Sequence, residues 1–83
     1  MDYYINIYLL LFKVKNYPHF WIIKISDDLY YLKNIIKNID KKDNEIGNYY
    51  IIKRRDKENI LYENFKQFQL YLCRKDDDLI AET

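Results

Sequence analysis

Apolar positions recur with two different periods along this chain, and the changes of period mark its elements. The clearest stretch is Gly47 to Cys73, GNYYIIKRRDKENILYENFKQFQLYLC. Tyr49 to Lys53 and Ile60 to Tyr62 are rich in β-branched and aromatic residues, and the polar run Arg54 to Asn59 between them predicts a chain reversal. That is a hairpin. Asn64 then has the side chain of a helix cap, Gln67 stands three residues on, and Phe65, Phe68 and Leu72 recur at helical spacing, which predicts a helix ending near Cys73.

Upstream, Tyr3 to Lys15 is apolar almost throughout. Ile5, Tyr8, Leu9 and Phe12 fit a helix face, but the β-branched and aromatic content predicts a strand. Leu10, Phe12 and Val14 alternate with Leu11, Lys13 and Lys15, whereas Ile5 and Ile7 flank Asn6 in the opposite phase. A bulge near Leu9, or cover on both faces, reconciles the two phases. Asn16, Tyr17 and Pro18 supply a turn. Phe20 to Ile25 is a second strand, with Trp21, Ile23 and Ile25 on one side and Phe20, Ile22 and Lys24 on the other. Ser26 or Asp27 is the expected cap of a helix in which Leu29, Leu32, Ile35, Ile36 and Ile39 form a buried stripe and Lys33, Lys37 and Lys41 an outer one. Asp40 to Glu45 reads as a loop, and Gly47, the single glycine, as a site for positive φ. The order ββαββα predicts an α+β fold: a four-stranded, mainly antiparallel sheet with two helices packed on one face. The opposite face would then carry many tyrosines. Residues 1–75 form the domain and 76–83 an acidic tail.

Composition narrows the function classes. The chain has 83 residues, enough for one core; Ile, Lys, Tyr and Asn make up about half of it, while Gly, Ala and Pro occur once each. All four favoured residues have AT-rich codons, which points to an AT-rich genome such as those of many phages, mobile elements, low-GC bacteria and large DNA viruses. The net charge of +1 argues against a general polycation. Its distribution is uneven: Asn48 to Lys75 holds seven basic residues and three acidic ones, and Asp76 to Thr83 holds four acids and no base. A lone cysteine, Cys73, excludes an internal disulfide. The longest apolar run is far short of the roughly 20 residues of a spanning helix, and Asp2 does not begin a signal peptide. The expected location is the cytoplasm, that of the host cell if the protein is viral.

No residue constellation specifies a reaction, and neither a metal set nor a cofactor motif is expected. His19 follows Pro18 in a turn without a nucleophile at useful spacing. Cys73 lies beside a buried stripe at a helix C-terminus, where the dipole disfavours a thiolate. Asp76, Asp77 and Asp78 lack the alternation of a calcium loop; the run suits phosphate mimicry or shielding of the basic segment beside it. Lys53, Arg54, Arg55 and Lys57, with Tyr49 and Tyr50 just upstream, combine cations for phosphates with rings for stacking. The same six residues suit a protein interface, where rigid aromatics and arginine serve as anchors.

Ile7-Tyr8, the turn at Pro18, Trp21-Ile22-Ile23-Lys24 and the helix that follows resemble the opening of GIY-YIG nucleases over about the first half of the chain. The glycines of both signature tripeptides are replaced by Asn6 and Ile23, the second tyrosine by Trp21, and Leu32 stands where the family's arginine is expected. The resemblance implies a ββα unit with the nuclease chemistry lost. The leading expectation is a small non-enzymatic module that binds a larger host protein or nucleoprotein complex, similar in kind to anti-CRISPR inhibitors of phages and mobile elements. A nucleic-acid-binding module using the Lys53–Lys57 hairpin is the alternative, and a degenerate GIY-YIG-like nuclease ranks last. No membrane partner is expected.

Overall fold

The computed structural model describes residues 4–39, 41–57 and 66–83. Strand β1 (Tyr4–Val14) is followed by β2 (Trp21–Ser26), helix α1 (Leu29–Lys37), a short helix α2 (Lys41–Ile46), and strands β3 (Gly47–Lys57), β4 (Gln69–Leu70) and β5 (Asp78–Glu82). The described residues form a small α+β fold with two helices and five strands, where four strands were expected, all paired antiparallel in the order β4-β2-β1-β3-β5.

The apolar N-terminal segment is a strand, and it occupies the centre of the sheet. Beside it β3 runs in unbroken register from Tyr4 opposite Lys57 to Val14 opposite Gly47. Leu9, Leu10 and Leu11 are all buried although successive side chains point to opposite faces. Both faces are therefore dry. Leu9 and Leu11 pack with Ile7, Ile22 and Ile52 in one core, and Leu10 packs with Ile51 and Leu32 of α1 in the other. A central strand covered twice has no polar face to show, which is why its sequence lacks clean alternation.

The pairing of β1 with β2 shifts between Leu10 and Leu11, opposite Lys24 and Ile22, leaving Ile23 as an extra residue. This bulge changes the phase of β2: Ile22 and Ile25 join one core and Ile23 the other, so the expected grouping of Trp21, Ile23 and Ile25 does not hold. In the turn before β2, Asn16 adopts φ 69° and the Tyr17 amide donates to the Val14 carbonyl at 3.2 Å. Asparagine tolerates that left-handed conformation. The cap of α1 is Asp28, whose carboxylate accepts from the Tyr31 amide at 3.2 Å, while Ser26 accepts from the Asp28 amide at 3.0 Å. Leu32 is fully buried, and Leu29, Ile35 and Ile36 pack around it.

Where a loop was expected after α1, Lys41–Ile46 is helical, with Asp43 in the first turn favoured by the helix dipole. Gly47 has no positive φ. It is needed for close approach: a Cβ there would fall on the Lys13 carbonyl oxygen and within 2.8 Å of Phe12 Cζ.

The C-terminal half departs furthest from the sequence pattern. Arg54–Lys57 is strand and not turn, because β3 continues along the whole length of β1. The expected strand Ile60–Tyr62, the Asn64 cap and Phe65 lie outside the described residues. From Lys66 to Cys73 the helix is absent. Phe68 sits at φ 63°, its amide donates to the Ile22 carbonyl at 2.8 Å, and Gln69–Leu70 pairs with β2. Residues 71–77 then cross from β4 at one edge of the sheet to β5 at the other. This strap covers the face opposite α1, with Tyr71 packed in the core of Ile7, Leu9 and Leu11. Asp78–Glu82, expected as a solvated tail, is a sheet strand against β3.

Candidate functional site

Period two along β3 divides the six candidate binding residues between two faces. Tyr50 and Arg54 share the face of Ile52, under the strap; Tyr49, Lys53, Arg55 and Lys57 share the face of Ile51, on the side of α1. Neither tyrosine stands free. Tyr49 packs on Phe12 with ring centroids 4.7 Å apart, and Tyr50 meets Phe20 edge to face at 5.2 Å. Burial, then the charge of Asp43, raises the Tyr49 hydroxyl above its ordinary pKa.

Arg54 is not a wet hairpin cation but the hub of a buried cluster. Its Nε and Nη2 donate to the two carboxylate oxygens of Asp77 at 2.9 and 2.8 Å, and Nη2 also donates to the Leu72 carbonyl at 3.0 Å. The side chains of Arg54 and Asp77 are 9% and 2% exposed. Tyr71 donates its hydroxyl to Asp77 at 2.6 Å and the Arg74 amide donates to the same oxygen at 2.9 Å. Burial by itself would raise the Asp77 carboxyl, but the donors from Arg54, Tyr71 and Arg74 outweigh it and hold the pKa at about 2. Burial and the bond to Asp77 push the Tyr71 hydroxyl well above its ordinary value. Arg74 adds a second pair, Nη1 to Asp56 at 3.0 Å, and Asp56 also accepts from the Lys57 amide at 2.8 Å. Every buried side-chain polar atom among the described residues has a partner. The cluster's chemistry is structural: it pins the strap.

Lys53, Arg55 and Lys57 remain in a row on the other face, opposite Tyr8, Asn6 and Tyr4 of β1. Arg55 lies over the Tyr4 ring, 5.3 Å from guanidinium carbon to centroid, and both are exposed. This row is the part of the basic segment that a polyanion could reach.

A third feature had no advance signal. At the β2–β4 edge Trp21 pairs with Leu70, Phe68 precedes β4 at its left-handed turn, and Leu72 follows it at the start of the strap. All four are exposed, Phe68 at 61% and Leu72 at 71%. The helical spacing of Phe68 and Leu72 suggested burial; the left-handed turn at Phe68 places them on an edge instead. Cys73, expected in packing, is exposed, and so is His19. Leu32, at the position of the nuclease arginine, is sealed in the core. Among the described residues no cluster of His, Cys, Asp and Glu could hold a metal ion, and no helix is long and apolar enough to cross a membrane.

No protein-family model, curated protein or solved structure matches this chain.

Proposed function

We propose that this protein is a non-enzymatic binding module that acts by occupying a surface of a larger protein or nucleoprotein complex. The observation that carries the reading is the set of exposed apolar side chains at and beside the β2–β4 edge: Trp21 and Leu70, paired across it, with Phe68 just before β4 and Leu72 just after it in the chain. Water-exposed aromatic and aliphatic groups in one patch are what a partner's pocket removes from solvent, and Trp and Phe are efficient anchors. The AT-rich coding adds the specific form of the proposal, a phage, viral or mobile-element inhibitor of a host defence complex. The test is titration of the isolated host partner with wild-type protein and with Phe68→Ser/Leu72→Ser. The double variant should bind about 2 kcal/mol or more weaker while its own unfolding midpoint moves little, and inhibition should saturate at one module per partner site. Turnover, in which a trace of protein modifies many equivalents of target, overturns the proposal.

A second reading draws on the row Lys53, Arg55 and Lys57 with Tyr4, whose stacked ring and cation form the pair that a single-stranded nucleic acid engages. Its expected outcome is specific: Arg55→Glu weakens binding to labelled oligonucleotide and reduces the salt slope by about 1, since one phosphate contact fewer releases fewer counterions. Arg54→Glu, by contrast, should lower stability, because Arg54 is inside. Absence of any salt-dependent binding at low ionic strength removes this reading.

A further inference from the structure

We propose that the free edge of β5 accepts an extended, lysine- or arginine-flanked segment of a partner protein as a sixth strand. Among the described residues β5 is the last strand on its side of the sheet, and its pairing is with β3. The strand is held ready at both ends. Asp77, the residue before it, is clamped by Arg54, and after it the Thr83 amide donates to the Tyr49 carbonyl at 3.0 Å while the Thr83 hydroxyl accepts from the Tyr49 amide at 2.9 Å. An edge fixed in this way need not be ordered on binding.

Edges of this kind are commonly guarded by charge, and here the guard is of one sign. Leu79 and Ile80 are exposed at 54% and 37% in the middle of the strand, Ile80 as the extra residue of a bulge against β3, between Asp76 and Asp78 on one side and Glu82 on the other, with no base from 76 to 83. Lys53 lies across from Asp78 on the inner side, which leaves the edge still negative. A second copy pairing there would set acids against acids, which disfavours it. A basic strand gains the backbone bonds, apolar contact with Leu79 and Ile80, and charge complementarity. β4 has two residues, whereas β5 pairs with β3 on both sides of its bulge.

The probe is a labelled peptide alternating valine and threonine between lysine ends, with two controls: glutamate ends, and N-methylation of alternate amides. Fluorescence anisotropy on the wild-type chain should show saturable binding of the lysine-ended peptide, weakened about tenfold or more by N-methylation and absent with glutamate ends. Asp78→Lys/Glu82→Lys should exchange the preference. The proposal is overturned if the lysine-ended peptide does not bind, if N-methylation leaves binding unchanged so that charge alone explains it, or if sedimentation shows copies associating through this edge. The site lies at the opposite edge of the sheet from the apolar group. A host partner whose binding ignores the β5 reversal but is lost in Phe68→Ser/Leu72→Ser sinks this inference and leaves the binding-module reading standing.

Discussion

Arg54 and Asp77 show how one pair of residues changes the meaning of a charge pattern. In sequence the basic block and the acidic block are neighbours that cancel; in the fold one member of each is withdrawn from water into a two-bond ion pair. Such a pair is costly to desolvate and more costly to break, because the survivor is left buried and charged. The Asp77 carboxyl has an ordinary value of 3.8 and is held at about 2 in the fold. A depressed pKa stabilises the folded state above the unfolded value and loses that contribution as pH falls through the folded one. The wild-type protein should therefore lose about 2 kcal/mol from this group between roughly pH 4 and pH 2. In Asp77→Asn that acid-induced loss should be smaller by the same amount, and stability at neutral pH should already be lower. Chemical denaturation across that pH range measures both. Equal acid sensitivity of the two proteins would remove Asp77 from this role.

At the level of elements, the β1–β3 ladder separates two cores that share no side chain. Ile51 faces Leu10 and α1, and Ile7 faces Leu9, Ile22 and Ile52 beneath the strap. Trimming one methylene at each, Ile51→Val and Ile7→Val, should cost about 0.5 to 1.5 kcal/mol apiece. The double variant should equal the sum within about 0.5 kcal/mol, as sites without common partners do. Coupling well beyond that margin in urea denaturation would mean the two layers act as one. The same division explains the tyrosines. Tyr49 and Tyr50 do point to opposite faces, but because each face has its own cover, neither is left for a partner in the way a one-sided sheet would leave it.

Considered whole, the molecule closes its sheet with two unlike lids, a helix on one face and a pinned, irregular segment of chain on the other. A chain of this size has few ways to cover a second face. The strap does so in seven residues, 71–77, and delivers a fifth strand to the far edge. Two of the surfaces left outside are an apolar group at the β2–β4 edge and an acidic edge at β5. They lie at opposite ends of the strand order, so the body can be gripped from either edge without disturbing its cores.

The sequence by itself determined the type and order of the first three elements, though not the phase of β2 or the cap of α1. The apolar run at 4–14, the Asn16–Pro18 turn, the strand at 21–26 and the helical stripe of Leu29, Leu32, Ile35 and Ile36 follow from local propensity and period, which near neighbours satisfy. It also marked Tyr49 to Lys53 as strand. Tertiary structure decided the rest. The continuation of β3 through Arg54–Lys57, polar residues with weak strand preference, follows from pairing with all of β1. The spacing of Phe68 and Leu72 was helical, but Phe68 turns left-handed and its segment pairs with β2. The partnership of Arg54 with Asp77 joins residues 23 apart, and no local pattern encodes a contact at that separation. The strap, the fifth strand and both exposed edges depend on which parts of the sheet were already covered, a property of the assembled molecule and not of any window of its sequence.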